Sequence, residues 1–135
     1  MERSESANSD EARGAQYTVR DTGKGYLRLE WLAGARLTGS DATDTLASIA
    51  HVSAGRRLPL LADIRGVRTL EDEARTLFAG TDVVSRVAIL VGSPLSCTIG
   101  NFFIGLSSAQ RFSARVFSEA GAAEAWLLSE SGSGG

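Results

Sequence analysis

Leu60-Leu-Ala-Asp-Ile-Arg-Gly-Val-Arg-Thr69 is the stretch on which the reading of the whole chain turns. It begins inside Leu58 to Ala62, a short, continuous apolar run of the kind expected of a strand covered by helices on both sides. At Asp63 the pattern turns polar, and Asp63 to Arg68 reads as a loop. Thr69-Leu-Glu-Asp then reads as a capping box that opens a helix, with Asp72 at the third helical position. Leu70, Ala74, Leu77 and Phe78 supply its buried stripe, and Gly80 can end it.

Working outward, Val87 to Val91 is a second continuous apolar run and, with Leu58 to Ala62, a candidate for the sheet centre. Gly92-Ser93-Pro94 is another helix start, with Ser93 as cap and Pro94 at the first helical position. That helix carries Leu95, Ile99, Phe102, Phe103, Ile104 and Leu106. A last strand, about Ala114 to Phe117, leads through Ser118 into a helix with Ala122, Ala123, Trp126 and Leu127. On the N-terminal side, Tyr17 to Arg20 and Tyr26 to Leu32 flank Asp-Thr-Gly-Lys-Gly and read as a β-hairpin. In its second strand Leu27, Leu29 and Trp31 alternate with Tyr26, Arg28 and Glu30, the pattern of a strand near the sheet margin. Thr38-Gly-Ser-Asp opens a helix, with Thr38 or Ser40 as cap, a stripe of Leu46, Ile49, Ala50 and Ser53, and an end at Gly55. The expected order is β-β-α-β-α-β-α-β-α, an α/β fold with a mixed, mostly parallel five-stranded sheet and right-handed crossovers.

At 135 residues, 43% apolar and 22% charged, the chain is expected to form one domain. Residues 1 to 14 mix charge with Ser, Asn and Ala, contain no apolar run and read as a flexible leader. The domain is expected at 15 to 128, and 129 to 135 as a small-residue tail. The leader has neither signal-peptide nor transit character, so a cytoplasmic location is expected. A net charge of −2 argues against binding nucleic-acid phosphates or anionic lipid as a bulk polyelectrolyte. The helix from Pro94 to Leu106 is well short of the ~20 residues needed to span a membrane.

The order of elements and the segment Leu60 to Thr69 resemble the STAS domain, the fold of bacterial anti-sigma-factor antagonists. More closely, the chain resembles a group of small bacterial proteins built on that fold. The group's pattern is A-D-x-R-G at a strand end, a helix ending near F-A-G, a V-G-S-P-L turn and an I-G-N-F-F helix. Here these stand at Ala62 to Gly66, Thr69 to Gly80, Val91 to Leu95 and Ile99 to Phe103. The resemblance implies a functional surface at the start of the helix after the third strand, where antagonist proteins carry a phosphorylated Ser or Thr in a D-S-x-G context. Thr69 is the candidate phosphoacceptor that it implies. Val67-Arg68-Thr69-Leu70-Glu71-Asp72 departs from that motif, so the location is carried over and the modification is not.

Catalytic machinery is sparse. Nucleophilic catalysis needs a base beside its nucleophile, and the single histidine, His51, falls on the face of its helix away from Leu46 and Ile49. Cys97, the single cysteine, excludes an internal disulfide, reads as a small hydrophobe in an apolar helix, and with His51 cannot make a zinc site. No P-loop lysine or G-x-G-x-x-G follows a strand. No cofactor, metal or enzymatic activity is therefore expected. Asp63 ends a central strand, where ligands of open α/β sheets bind; its competing reading is that it accepts amides of its own loop, and the latter is favoured. Arg65 and Arg68, beside helix starts at Thr69 and Ser93, could hold a phosphate or carboxylate.

These residues lead to an expectation of non-enzymatic binding of a protein partner through Arg65 to Asp72, with a regulatory role. The alternative is a small-ligand domain that takes an anion or an apolar molecule near Asp63 and Ser93. The Pro94 to Leu106 helix is apolar nearly all round, so Phe102, Phe103, Ile104 and Leu106 either face a partner or second copy, or are enclosed by their own domain. A homodimer is expected.

Overall fold

The computed structural model describes residues 11–93, 98 and 113–129. The hairpin is present: β2 (Tyr17–Asp21) and β3 (Leu27–Trp31) run antiparallel, with Tyr17 opposite Trp31 and Asp21 opposite Leu27. Its turn uses Gly23 and Gly25 at φ of 79° and 100°, a backbone region that side chains disfavour. Ahead of it, β1 (Glu11–Arg13) pairs antiparallel with β2, Glu11 opposite Arg20. The leader reading is corrected for Glu11–Arg13, while residues 1 to 10 lie outside the described residues. An edge strand needs only a backbone ladder and one inward side chain, which Ala12 supplies against the core, so no apolar run marks it.

After β4 (Ala35–Leu37), helix α1 spans Gly39–Ser53. Thr38 is its cap: the hydroxyl accepts from the Asp41 N–H at 3.2 Å, and the Asp41 carboxylate accepts from the Thr38 N–H at 2.9 Å. The helix ends on Ala54 in the left-handed region, followed by Gly55. The buried stripe is Ala42, Thr45, Ile49, Val52 and Ser53, while His51 is exposed.

Strand β5 (Leu58–Asp63) lies parallel between β3 and β7 (Val84–Leu90), and β8 (Ser113–Phe117) lies parallel on the far side of β7. The main sheet therefore has six strands in the order β1-β2-β3-β5-β7-β8, one more than expected, with β3 in its interior rather than near its margin. Leu60, Ala62, Val87 and Ile89 face the core under α1, whereas Leu61, Ala88 and Leu90 face Ala123 and Leu127 of helix α3 (Ala120–Leu127). Both faces are covered, which is why these strands read as unbroken apolar runs. Tyr26 ties the hairpin to α3 by donating to the Glu124 carboxylate at 3.0 Å. Among the described residues, no helix is long and apolar enough to cross a membrane.

The largest departure from expectation falls in the deciding stretch itself. Val67–Leu70 is not the start of a helix; it is strand β6, paired parallel with β4 in a separate two-stranded ribbon. Helix α2 starts later, at Asp72, and runs to Ala79, with Glu71 at its cap position and no side-chain capping bond. The capping box was locally sound, but Ala35–Leu37 offers a backbone ladder, and that long-range pairing prevails over the local signal. The expected helix from Pro94 to Leu106, with Cys97 and the interface candidates Phe102, Phe103, Ile104 and Leu106, falls apart from Thr98 outside the described residues.

Gly66 joins the two sheets. Its carbonyl accepts from the N–H groups of Gly34 at 2.7 Å and Ala35 at 3.2 Å, and a Cβ there would lie 2.8 and 2.9 Å from the carbonyl oxygens of Leu32 and Trp31. Gly66→Ala should therefore cost about 2 kcal/mol in urea unfolding, in the range of core overpacking. Gly121→Ala, with nothing within 4 Å of the added methyl, should be neutral or stabilising by under ~1 kcal/mol. Equal effects of the two substitutions would contradict the close approach at Gly66.

Candidate functional site

Strand β5 delivers Asp63 to the carboxyl edge of the sheet, on the face that also carries Leu61. The residue is only 3% exposed. A buried carboxylate without partners would cost several kcal/mol, so its surroundings must supply cations or donors. Arg65 supplies three: its backbone N–H donates to Oδ1 at 3.1 Å, its Nε to Oδ1 at 3.0 Å and its Nη2 to Oδ2 at 2.7 Å. This is a two-point guanidinium fork with a loop amide added. Arg28, on β3, donates from Nη2 to Oδ2 at 3.1 Å. Two donors on each oxygen use the whole acceptor capacity of a carboxylate.

Burial pushes the Asp63 carboxyl up, but the hydrogen bonds and charge of Arg65, joined by Arg28, outweigh it and hold the carboxyl below its ordinary value. The same hydrogen bond and charge raise the Arg65 guanidinium above its own. Arg28 also approaches Glu30 at 3.8 Å, so two cations face two anions and the cluster is close to neutral.

Arg65 reaches this position by lying across Gly92, where a Cβ would sit 2.9 Å from its Cδ. The A-D-x-R-G and V-G-S-P segments are thus in direct contact, a relation that sequence spacing does not show. Ile64 donates its N–H to Leu90 at 3.1 Å, and the Val67 N–H closes back on the Ile64 carbonyl at 3.0 Å. Residues 63 to 67 form a tight turn, closed by these bonds, that hands the chain to β6.

In β6, Ala35 pairs with Val67 but Arg36 pairs with Thr69, so Arg68 is an extra residue opposite the β4 strand. This bulge lets Arg68 and Thr69 both face outward in succession, where a regular strand would turn one of them inward. Arg36, cross-strand from Thr69, is exposed too, and Glu71 and Asp72 follow on the surface. The open side of β4 is closed by Gln16, whose side-chain amide donates to the Arg36 carbonyl at 3.0 Å and accepts from its N–H at 3.1 Å, in place of a neighbouring strand.

Of the residues singled out from sequence, Asp63 and Arg65 are brought into contact, and Arg68 and Thr69 stand side by side at the surface. Thr69 does not sit at a helix N-terminus, which removes the helix-dipole site expected there. Ser93 is exposed, at the end of the chain segment that follows β7. Arg28 was missed because β3 read as a marginal strand with a solvated face. The signal was available, since a charged residue on an interior strand needs a partner, and Asp63 lies at the end of the next strand. Among the described residues, no group of three or more His, Cys, Asp or Glu could hold a metal.

The family described as "Domain of unknown function (DUF7793)" matches residues 22–130. No curated protein matches the chain. Among solved structures, the chain is similar to an uncharacterized protein of the DUF3478 family, with a SpoIIAA-like fold, from Shewanella loihica PV-4. The two share 18% identity over 87% of this chain and 98% of that one, with a TM-score of 0.57. That likeness shows the fold: SpoIIAA-like, or STAS-like. A protein of unknown function from Arthrobacter sp. FB24 matches at 29% identity over 82% of this chain and 99% of that one, with a TM-score of 0.34.

Asp63→Asn removes the anion and leaves Arg28 facing a neutral amide, so it should cost about 2 kcal/mol at pH 7, below the figure for a fully buried pair because Arg65 is half exposed. Because the folded carboxyl titrates below its unfolded value, its stabilisation is complete above the ordinary carboxylate pKa of ~3.9 and is lost as pH falls through the folded value. Urea midpoints should therefore show a constant gap between wild type and variant down to about pH 5, closing below about pH 4. A gap unchanged at pH 3 would contradict the ionised clamp.

Proposed function

This chain belongs to the family described as Domain of unknown function (DUF7793) and has a STAS-like fold, and on that premise we propose that it is a non-enzymatic domain that binds a protein partner through the Arg65 to Asp72 segment. The observation that carries the reading is the bulge at Arg68. A strand that spends a residue to present Arg68 and Thr69 together, on a turn locked by the Asp63 clamp, offers a rigid polar surface. Arg36 adds a third element to it across the ribbon, and Glu71 and Asp72 place acidic groups alongside, so the surface is suited to a partner of mixed charge rather than to a simple anion.

The state of Asp63 supports binding over catalysis. With four donors on its two oxygens, it has no free lone pair with which to take a proton or hold a substrate. The same exposure makes Thr69 the place where a phosphate would act as a switch. Flanked by Arg68 and Arg36, it would gain charge-assisted hydrogen bonds, while Glu71 and Asp72 would oppose it. The reading retains a homodimer, whose mass should appear by light scattering at tens of micromolar; a monomer there removes that element.

Affinity capture with the wild type, Arg68→Glu, Thr69→Glu and the distant surface variant His51→Ala tests the surface. A specific partner should be retained by the wild type and His51→Ala and weakened roughly tenfold or more, about 1.4 kcal/mol, by either of the other two. If every captured protein is held equally by all four, the surface is rejected.

A further inference from the structure

Strand β1 is the outermost strand of the main sheet, and among the described residues no strand pairs with its outer edge. A free edge presents unpaired backbone N–H and C=O groups, ready to take another strand. Proline, a bulge and an inward-pointing charge, which blunt such edges elsewhere, are all missing from β1. Its register with β2 is unbroken and its inward residue is Ala12. Ala12 packs on the core yet is only half-buried, as expected of a residue with a neighbouring strand on one side alone. On the other face Glu11 and Arg13 stand out from the sheet, their side chains 33% and 76% exposed, with the Arg13 Nε 3.7 Å from the Glu11 Oε2.

Symmetry fixes how a second copy can use this edge. Directly opposite pairs in an antiparallel ladder alternate between the hydrogen-bonded and the open kind. Two identical strands related by a twofold axis must therefore set one residue opposite its own copy, since neighbouring pairs cannot be both equivalent and different. Within β1 the axis has three places to stand. At Glu11 or at Arg13 it sets like charges face to face and leaves part of the strand unpaired. At Ala12 it uses all three residues and sets each Glu11 opposite the second copy's Arg13, the favourable cross-strand arrangement.

We propose that the outer edge of β1 is an interface between two copies of this chain, paired antiparallel about Ala12 so that the two six-stranded sheets become one. The Glu11–Arg13 pair forms twice across the axis, and Ala12 meets its own copy on the core side. Helix α1, which packs against β1 on that side, then flanks the axis from both copies. Three residues a side make a small interface, so the association belongs to the weak, concentration-dependent class. The inference rests on the homodimer reading above and gives it a surface, one separate from the Arg68 ribbon.

The test is sedimentation equilibrium on the full chain, from micromolar to several hundred micromolar, for the wild type, Glu11→Arg, Arg13→Glu and an equimolar mixture of the two variants. The wild type should be half-dimeric at tens of micromolar. Each substitution alone turns both cross-axis pairs into like charges and should weaken self-association about tenfold or more. The mixture restores opposite charges at both pairs, so its components should dimerise with each other at least as tightly as the wild type. Mixing would not repair a substitution that had merely unseated β1 from β2. Amide exchange at residues 11 to 13 of the wild type should slow as its concentration rises. A monomer at every concentration overturns the homodimer and this interface together. A dimer whose mass ignores both substitutions, or a mixture that associates no better than its components, overturns the interface and leaves the homodimer standing on another surface. Slow exchange at residues 11 to 13 that is independent of concentration also overturns it, because the edge is then covered from within one chain.

Discussion

A carboxylate that the fold buries at the end of a central strand sets the terms for everything around it. Asp63 cannot remain ionised at 3% exposure unless cations and amides surround it, and the residues that do so come from three places in the chain. Arg65 folds back from the next turn, Arg28 reaches over from β3, and Gly92 gives way so that the Arg65 stem can pass. Once Arg65 is held, the turn from 63 to 67 has one shape. Gly66 then meets the end of β3, and β6 is placed beside β4. The exposed pair Arg68 and Thr69 is the last consequence of a constraint that begins in the core.

That chain of dependence also separates two kinds of residue that sequence alone groups together. Asp63 and Arg65 look like ligand-binding groups because they are polar and lie where open α/β sheets bind ligands. Their hydrogen bonds are spent on each other, which makes them positioning residues. Arg68 and Thr69, which have no such obligation in their hydrogen bonds to the strand ladder, are left to face solvent.

Most of the architecture was legible because it rests on patterns that burial imposes directly. Leu58 to Ala62 and Val87 to Val91 read as doubly covered strands and are so, the hairpin follows from its glycines, and of the two cap candidates, Thr38 and Ser40, Thr38 caps α1. What was not legible depends on pairing at a distance. β1, β4 and β6 are three or four residues long and show no periodicity, and each exists because another strand supplies its ladder. The same holds for the site. The reading of Asp63 as an acceptor of loop amides captured the Arg65 N–H, but the two guanidinium groups could be assigned only once β3 was known to be interior. The helix start proposed at Thr69 failed for the reverse reason: a sound local signal was overridden by a long-range one.

The most direct test of the central claim is a double-mutant cycle on Asp63 and Arg65, in which urea unfolding is measured for Asp63→Asn, Arg65→Met and the pair together. A carboxylate committed to holding this turn should show a coupling of about 1 to 3 kcal/mol, the range for residues in one hydrogen-bonded network. Additive effects within about 0.5 kcal/mol would mean that Arg65 is not held by Asp63. The carboxylate would then be free for a ligand, and the link from the buried clamp to the exposed ribbon would be broken.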